Sequence, residues 1–311
     1  MAILVGTASW TDQSLVACKR FYPRGVHSAE DRLRFYASQF PTVEVDSSYY
    51  AMPTAHNAQL WADRTPEGFV FNVKAFRLFT GHQTSPLMLP RDIQAALPAT
   101  RRPNVYYREL PGELVDELWL RFVGALEPLQ RVGKLKAVHF QFPPWIQRNR
   151  SGHAHVRECV QRMAGYLVAV EFRHASWFEG EARQATLDFE QALGVVHTVV
   201  DGPQGFDNSV PAIWQATHPE LAIVRLHGRN QASWNQKGHA ASSDRFNYDY
   251  PAAELASLVP PIQQLAAHIG TVQVVFNNNM EDQGQRNART LMEMLGVSGG
   301  TGSTRMPSLF D

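Results

Sequence analysis

Eight short runs of the sequence alternate apolar and polar residues with the period of a β-strand, and in each run one alternating set turns polar toward the C-terminal end. The runs are Ile3–Ser9, Val43–Ser47, Phe69–Ala75, Ala137–Phe142, Leu167–Arg173, Val195–Asp201, Ala222–His227 and Val272–Asn277. Residues two apart on a strand lie on the same face, so each polar set is predicted to share one side of its strand. The polar sets are Thr7 and Ser9, Glu44 and Asp46, Asn72 and Lys74, His139 and Gln141, Glu171 and Arg173, His197 and Asp201, Arg225 and His227, and Gln273 and Asn277.

The segments between these runs are long enough for helices, and most of them carry helical periodicity. The helical patterns cover Ala29–Gln39, Gln59–Arg64, Val115–Val132, His155–Met163, Ala182–Leu193, Glu254–Ala267 and Asp282–Leu295. Parallel strands need such connections, whereas antiparallel hairpins do not. The alternation predicts an α/β protein with a single (β/α)8 TIM-type barrel over residues 1–297, whose polar sets point inward at the C-terminal mouth.

Two segments depart from the repeat. Phe79–Gly112 is a long proline-containing insertion after the third strand, and it carries Arg101, Arg102 and Arg108 beside Tyr106 and Tyr107. Basic and aromatic residues together could track a phosphate backbone and stack on bases, so the insertion is a candidate nucleic-acid contact. A solvated surface insertion is the alternative interpretation.

Residues 298–311 form the second departure, a Gly/Ser-rich segment that is predicted to be a flexible tail. The tail ends in Ser308, Leu309 and Phe310, which resemble the peptide that binds the bacterial sliding clamp. A tethered pair of large apolar side chains is suited to insertion into an apolar pocket. The alternatives are that these side chains fold back onto the barrel or remain in solvent.

Composition narrows the class of protein without identifying a partner. The formal net charge is +0 and 44% of residues are hydrophobic, which indicates a compact core and no global attraction to nucleic acid or anionic membranes. The N-terminal sequence lacks the pattern of a signal peptide, and no run approaches a membrane span, so we expect a cytoplasmic protein without a membrane partner. Cys18 and Cys159 lack metal-site or disulfide spacing and are predicted to be reduced thiols.

The mouth of the predicted barrel collects acids, bases and hydrogen-bonding side chains from most strands. Desolvated charges at this proximity pair or shift their pKa values, and such clusters are candidate functional sites. Ion pairs that only shape the barrel are the alternative. The candidate catalytic residues are Glu44, Lys74, Glu171, Arg173 and His227. The candidate substrate-binding residues are Asp46, Tyr49, Gln141, His174, Trp177, Asp201, Arg225, Arg229, Asn277, Asn278 and Asn287.

A phosphate site is predicted from the segments that follow the last two strands. Arg225, His227 and Arg229 surround Gly228 after the seventh strand, and asparagines follow the eighth. α/β barrels commonly bind phosphate with these two loops and a helix N-terminus, and arginine forks suit the anion. A buried Arg–Asn network without a ligand is the alternative.

No cofactor is predicted, although a divalent metal stays open as an alternative. The side chains that could bind Zn²⁺ or Mn²⁺ are Glu44, Glu171, His174, Asp201 and His227. Against a metal site, no HxH or HExxH spacing is present, and Lys74, Arg173 and Arg225 would crowd a cation.

Motifs at many strand ends resemble those of the YecE-like family, and the resemblance covers nearly the whole chain. The motifs are Gly6-Thr-Ala-Ser-Trp10, Phe21-Tyr-Pro23, Val43-Glu-Val-Asp-Ser-Ser-Tyr-Tyr50 followed by Pro53, Phe71-Asn-Val-Lys-Ala75, Gln141-Phe-Pro-Pro144, Val170-Glu-Phe-Arg-His-Ala-Ser-Trp177, Arg225-Leu-His-Gly228, Phe276-Asn-Asn278 and Asn287-Ala288. The resemblance implies a TIM-type barrel and supplies no function, because the family's function is unknown. The long insertion, and Asp46 where relatives usually carry Asn, are departures from the family pattern.

These features predict an enzyme that acts on a phosphate-bearing substrate, either a phosphosugar, a nucleotide or a nucleic acid, by acid–base chemistry at the mouth. Arg173 would orient Glu171 or neutralise developing charge. A divalent-metal-dependent sugar isomerase is one alternative. A nucleic-acid-associated module with little or no catalysis is the other.

Overall fold

A closed parallel barrel of eight strands forms the centre of the molecule. The computed structural model describes residues 1–98, 102–236 and 245–300. The strands are β1 (Ala2–Ala8), β2 (Thr42–Val45), β3 (Val70–Lys74), β4 (Leu135–Gln141), β5 (Val168–Glu171), β6 (Val196–Asp201), β7 (Leu221–Leu226) and β8 (Thr271–Phe276). Each strand pairs with its sequence neighbours, and β8 pairs with β1 from Ala2 opposite Thr271 to Thr7 opposite Phe276. The (β/α)8 TIM-type fold is therefore confirmed.

Helices surround the barrel at the predicted places, with shifted ends. The α-helices are Gln13–Cys18, Ala29–Gln39, Ser47–Tyr50, Ala55–Asp63, Arg91–Ala96, Gly112–Arg131, Arg150–Arg162, Ala182–Ala192, Gln231–Trp234, Ala252–Ala266 and Gln283–Leu295. Capping residues explain two early starts. Asn149 accepts a hydrogen bond from the Gly152 amide, and Thr54 accepts one from the Asn57 amide, which satisfies donors that a helix start leaves free. Among the described residues, no helix has the length and apolar character needed to cross a membrane.

The predicted strands extend too far at their C-terminal ends. Asp46, His227 and Asn277 each directly follow the last strand residue, and Arg173 lies two residues after the end of its strand. Asp46 already has helical backbone angles at the start of Ser47–Tyr50. These side chains still lie at the C-terminal end of the barrel.

Six strands place their polar set inside the barrel as predicted, but β1 and β6 do not. In β6, Thr198 pairs with the inward Ile223 and Val200 with the inward Arg225. His197 therefore points outward, where Nδ1 lies 2.9 Å from Oε2 of Glu190 on an outer helix. The alternating polar residues of a strand therefore point into the barrel only where the outer helices offer no buried polar partner.

β1 shows the same reversal. The backbone amide of Thr7 donates to the hydroxyl of Tyr36 on the outer helix Ala29–Gln39 at 2.8 Å. Ala8 pairs with Glu44, and Gly6 pairs with Thr42, so the small residues of β1 face the barrel interior. Space for the large charged side chains inside the barrel comes in part from this strand.

The barrel interior is layered from bottom to mouth. Its lower end is filled by a small apolar cluster of Ala137, Ala169, Val196, Leu221 and Ile223. Above that layer the interior becomes polar, and Asn72 donates to Gln273 at 2.8 Å. Large apolar and aromatic side chains occupy the space between strands and outer helices. This arrangement confines the charged side chains to the upper half of the barrel, next to the mouth.

The insertion is packed against the barrel. Thr84 and Val105 form an antiparallel bridge across it, and Phe79 stacks on Trp119 of Gly112–Arg131 with ring centroids 3.9 Å apart. Tyr107 is buried and its hydroxyl donates to Glu158, so the expected base stacking on Tyr107 is wrong.

Several predictions cannot be compared with the fold. Arg101 and the clamp-like end of the tail at Ser308, Leu309 and Phe310 lie outside the described residues. The first residues of the tail are described. Gly300 lies so close to the helix Ala29–Gln39 that an added Cβ would approach the Ala37 carbonyl oxygen to 2.0 Å.

Candidate functional site

A buried charge cluster lies inside the barrel just below the mouth. Arg225 of β7 donates from Nη1 to Oε2 of Glu171 and from Nη2 to Oε1 of Glu44, each at 2.6 Å. The same guanidinium donates to Gln141 at 3.3 Å and to Asn277 at 3.2 Å. Arg225 and both glutamates have no exposed surface. One arginine therefore joins β2, β5 and β7 through charge-assisted hydrogen bonds.

The cluster is held in its charged form. Burial alone would raise the pKa of Glu44, but the charges of Arg225 and Lys74 and the contacts with His139 together outweigh it and hold that pKa below its usual range. Burial is likewise outweighed at Glu171, where Arg173 and Arg225 lower the pKa. Arg225 is committed to these internal partners and out of reach of a ligand, which corrects the expectation that it holds a phosphate.

His227 is a neutral member of the same cluster. Asn277 accepts from Arg225 through Oδ1, so its amide Nδ2 donates to Nδ1 of His227 at 2.9 Å. Nε2 lies between Oε1 of Glu171, an acceptor at 3.4 Å, and Nη2 of Arg173, a donor at 3.1 Å. Burial, and then the charge of Arg173, lower the pKa of His227 to about 3. The histidine is therefore uncharged near neutral pH, with both ring nitrogens facing internal neighbours.

The loops after β6, β7 and β8 are tied to each other. Arg229 binds both carboxylate oxygens of Asp201, at 2.7 to 3.1 Å, and the hydroxyl of Tyr250 donates to the same carboxylate at 2.7 Å. Asn278 donates to Asn287 at 2.7 Å. Arg229, Asp201, Asn278 and Asn287 thus form the internal network that was the alternative to a phosphate site.

Two other predicted substrate contacts lie away from the mouth. Trp177 is fully buried, stacks on Phe172 at 3.8 Å and donates to the Ile146 carbonyl at 2.8 Å. Its place is in the outer apolar layer, so the expected substrate contact by Trp177 is wrong. His174 is half-buried in the loop after β5, where its Nε2 lies 3.2 Å from the amide nitrogen of Gln147.

An open cavity of about 370 Å³ lies over the charge cluster, and we call it the mouth cavity. Its size is at the lower end of the range for small-ligand pockets. Three predicted site residues, Tyr49, Gln141 and Arg173, lie in its wall. The described residues of its lining are Tyr49, His82, Gln141, Pro143, Pro144, Trp145, Arg173, Asn208, Trp234, Arg245 and Phe246.

Arg173 connects the charge cluster to the mouth cavity. Its Nε forms an ion pair with Oε1 of Glu171, and its guanidinium carbon lies 5.6 Å from the ring centre of Trp234. The buried carboxylate therefore fixes the orientation of a guanidinium that also lines the cavity. The mouth cavity has a second cation in its wall, the exposed Arg245.

Lys74 and Asp46 form a pair beside the mouth cavity. Nζ of Lys74 donates to Oδ1 of Asp46 at 2.7 Å and lies 4.6 Å from the ring centre of Tyr49. The side chain of Asp46 is 20% exposed, whereas Glu44 and Glu171 have no exposed side-chain surface. Asp46 is therefore the carboxylate of this group that solvent can reach.

His82 brings the insertion into the wall of the mouth cavity. The Thr80 hydroxyl donates its proton to the Arg77 carbonyl at 3.0 Å, so it accepts from Nδ1 of His82 at 2.8 Å. This tautomer leaves Nε2 as a hydrogen-bond acceptor. Burial, and then the charges of Arg77, Lys74 and Arg173, lower the pKa of His82 to about 3. The ring is therefore a neutral acceptor at the cavity wall.

The predicted metal ligands do not converge. Asp201 is engaged with Arg229, His174 lies in a separate loop, and Arg225 occupies the space between Glu44 and Glu171. Across the described ranges, no group of three or more His, Cys, Asp or Glu side chains has the arrangement to hold a metal ion.

Sequence reasoning missed much of the cavity wall. The missed residues are His82, Trp145, Asn208, Trp234, Arg245 and Phe246. They lie outside the strands, in loops or, for Trp234, in the short helix Gln231–Trp234, where the alternation along a strand gives no information. For Trp145 a signal was present, since a tryptophan that follows two prolines directly after a strand is well placed for exposure at the mouth. It is in fact 56% exposed.

Residues 4–308 match the family described as "Protein of unknown function DUF72". The UPF0759 protein YunF of Bacillus subtilis (strain 168) is 33% identical over 297 residues, which are 95% of each chain.

Solved structures of similar proteins share the fold. A DUF72 family protein from Enterococcus faecalis V583 superimposes with a TM-score of 0.77 and 25% identity, over 95% of this chain and 96% of that chain. A DUF72 family protein from Thermotoga maritima MSB8 gives a TM-score of 0.71 and 24% identity, over 95% and 100% of the two chains.

Proposed function

Because this chain belongs to the DUF72 family, whose function is unknown, we propose a function from the mouth cavity: the protein is an enzyme that acts on a phosphate-bearing substrate of the nucleotide class. The observation that carries the proposal is Arg173, a guanidinium held by a buried carboxylate and set in a cavity with aromatic walls. We also propose that this family is the YecE-like family, on the basis of the strand-end motifs, and that the protein is cytoplasmic.

Arg173 is the proposed phosphate contact. Its Nε is held by Glu171, so the guanidinium is oriented before a ligand arrives, and less conformational entropy is lost on binding. Arg245 lies in the same wall and adds positive charge. The phosphate site that we propose therefore lies on the β5 side of the mouth, away from the loops after β7 and β8.

The aromatic walls favour a nucleotide over a phosphosugar. Tyr49, Trp145, Trp234 and Phe246 line the cavity, and base–aromatic stacking contributes roughly 1–3 kcal/mol per base. A sugar phosphate has no comparable ring to fill this space. The neutral acceptor at Nε2 of His82 suits an amino or imino donor on a base.

Proton transfer is assigned to the Lys74–Asp46 pair, because it combines a donor with a carboxylate that solvent reaches. Glu44 and Glu171 are buried and held ionised by Arg225 and Arg173, so we propose them as positioning residues. The neutral His227 has the same role through Glu171.

Binding measurements on purified protein test the proposal. By isothermal titration calorimetry, nucleoside monophosphates should bind more tightly than ribose 5-phosphate or inorganic phosphate, because only the nucleotide has a base to stack. Arg173→Met should weaken nucleotide binding roughly ten- to hundredfold, as expected for a lost charge-assisted contact. The control is Arg183→Met, on the exposed face of Ala182–Ala192. Equal affinities for the Arg173 and Arg183 variants, both folded by circular dichroism, would reject the phosphate contact.

Catalysis is tested separately. Bound nucleotides are incubated with the protein, and products are identified by mass spectrometry. Lys74→Met should lower the rate of product formation at saturating nucleotide by about a hundredfold or more, the usual contribution of a general acid or base. A Lys74→Met protein with an unchanged rate would remove the Lys74–Asp46 pair from the mechanism.

A further inference from the structure

A second cavity lies beside the mouth cavity, between the insertion and the loop after β4. It has a volume of about 430 Å³, and we call it the insertion pocket. Trp145 lines both cavities, so the two are neighbours separated by one indole ring. The residues around it are Gly81, Gln83, Tyr106, Tyr107, Arg108, Trp145, Ile146, Gln147, Asn149, Ser151, Gly152 and His155.

We infer that the insertion pocket is a subsite for the second base of a single-stranded oligonucleotide, whose first nucleotide occupies the mouth cavity. This inference rests on the proposed function. It extends the ligand from a mononucleotide to a chain that crosses Trp145.

Trp145 has the properties of a stacking platform between two bases. It is 56% exposed, yet its Nε1 donates to the Gly81 carbonyl at 2.9 Å, which fixes the ring. The His82 ring lies 5.5 Å from it at a steep angle on the mouth side. An exposed and oriented tryptophan gives each neighbouring base a π-face without added ordering cost.

The chemistry of the insertion pocket fits a base and its phosphodiester. Tyr106 and Ile146 supply exposed and half-buried apolar surface, and Arg108 supplies positive charge. Of the described residues that line the pocket, none is an aspartate or glutamate, so no carboxylate there repels a polyanion. Gln83 and Gln147 are amides of the kind that read base edges.

The pocket is preformed. Its inner wall is Tyr107, whose hydroxyl accepts from Trp119 at 3.0 Å and donates to Glu158 at 2.6 Å. Arg108 donates to the Ser151 carbonyl at 3.2 Å, which joins the insertion to the helix Arg150–Arg162. The two sides of the pocket are therefore fixed to the barrel, and a ligand would not have to order them.

The presence of two neighbouring cavities favours an oligonucleotide over a single nucleotide as the ligand. Their volumes, about 370 Å³ and 430 Å³, are similar, and they share one wall with cations on both sides, Arg173 and Arg108. A mononucleotide would fill one cavity and leave the other empty. A peptide would gain from both arginines only if it carried acidic side chains at the matching spacing, whereas an oligonucleotide carries a negative charge at every linkage.

The test compares ligands of one and two bases. Titration calorimetry measures binding of thymidine monophosphate, of a 5′-phosphorylated thymidine dinucleotide and of inorganic triphosphate. The dinucleotide should bind about 5- to 100-fold more tightly than the mononucleotide, the range for one added stacked base. Tyr106→Ala should remove most of that gain and leave mononucleotide affinity unchanged. The control Leu120→Ala, at an exposed apolar residue on the outer helix Gly112–Arg131, should change neither affinity.

The outcomes separate the subsite from the proposed function. If the mononucleotide binds and the dinucleotide gains nothing, or if Tyr106→Ala keeps the whole gain, the subsite is overturned while the proposed function stands. If triphosphate binds as tightly as the dinucleotide, charge alone accounts for binding and the base subsite is overturned. If neither nucleotide binds, the proposed function is overturned together with the subsite.

Discussion

Arg225 is the residue on which the interior of the barrel depends. Both of its terminal nitrogens bind carboxylates, and the three charges have no contact with solvent. Removing one partner of a buried ion pair leaves uncompensated charge and typically costs about 3–5 kcal/mol. Arg225 is therefore a structural cation, although its strand-end position resembles that of a ligand contact.

Arg225→Met tests this role. The variant should lower the free energy of unfolding by about 3–5 kcal/mol, because it leaves Glu44 and Glu171 buried without their shared cation. Urea denaturation followed by circular dichroism measures the change. The double variant Glu44→Gln, Arg225→Met should recover part of the loss, since it removes the carboxylate left without a cation and keeps the pair of Glu171 and Arg173. An Arg225→Met protein with the wild-type denaturation midpoint would contradict the account.

His155 makes a prediction about pH. It lies between the rings of Tyr107 and Phe142, and burial, followed by the charge of Arg108, lowers its pKa to about 4. Between roughly pH 6.5, the ordinary histidine pKa, and pH 4 the unfolded chain takes up a proton that the folded state does not, so stability falls as pH falls. This loss of stability is present below the histidine pKa of the unfolded chain and absent above it.

The measurement compares the native protein with His155→Gln. From pH 7 to pH 4 the native protein should lose up to about 3 kcal/mol more stability than the variant, because only the native chain has this proton to take up on unfolding. His82 and His227 have lowered pKa values in both proteins, so their contribution cancels in the comparison. Parallel stability curves for the two proteins would show that His155 titrates normally.

The residues of the site could be predicted from sequence only in part. The alternation along the strands correctly predicted that one end of the barrel holds Glu44, Lys74, Glu171, Arg173 and Arg225. It could not distinguish Arg225, whose donors are used inside, from Arg173, which also reaches the cavity, because that difference depends on which side chains pair. The alternation of polar and apolar residues along a strand does not show which side chains pair with each other.

At the scale of elements, alternation gave the correct inward set in six strands and failed where an outer helix supplies a polar partner. The hydroxyl of Tyr36 accepts a hydrogen bond from Thr7, and the carboxylate of Glu190 lies within hydrogen-bond distance of His197. Both partners lie on helices whose own apolar pattern was visible, but their contact with a strand arises from packing between elements distant in sequence. Loops were the other gap, since much of the cavity wall comes from them.

A substitution at Gly6 tests the close approach of β1 and β2. A Cβ at this position would lie 2.1 Å from the Thr42 carbonyl oxygen, and backbone in a paired strand cannot yield. Gly6→Ala should therefore destabilise the barrel by about 3 kcal/mol, at the upper end for overpacking. The control is Gly124→Ala, exposed on Gly112–Arg131 with no atom within 4 Å of the added Cβ, which should stabilise by about 0.5–1 kcal/mol. Equal melting temperatures for the two variants would contradict the register.

At the scale of the whole molecule, the absence of net charge means that any anion binding must come from local groups of cations. With 29 basic and 29 acidic residues, long-range attraction to a polyanion is weak, so any affinity comes from local cations. Arg173 and Arg245 line the mouth cavity, and Arg108 lines the insertion pocket. Several other surface arginines in the described ranges, such as Arg121 and Arg162, are paired with carboxylates.

The salt dependence of binding tests whether the arginines of the two cavities account for the affinity for a single strand. Each phosphate contact to a single strand contributes a slope of roughly −0.7 in log affinity against log salt concentration, so three contacts predict about −2. Fluorescence anisotropy with a twelve-base single strand measures the slope. Arg108→Met should make it shallower by about 0.7, while Arg183→Met on the outer helix should leave it unchanged. A slope near −5, or an equal effect of both substitutions, would mean that surfaces beyond the two cavities bind the strand, and the placement of the ligand at the mouth would fail.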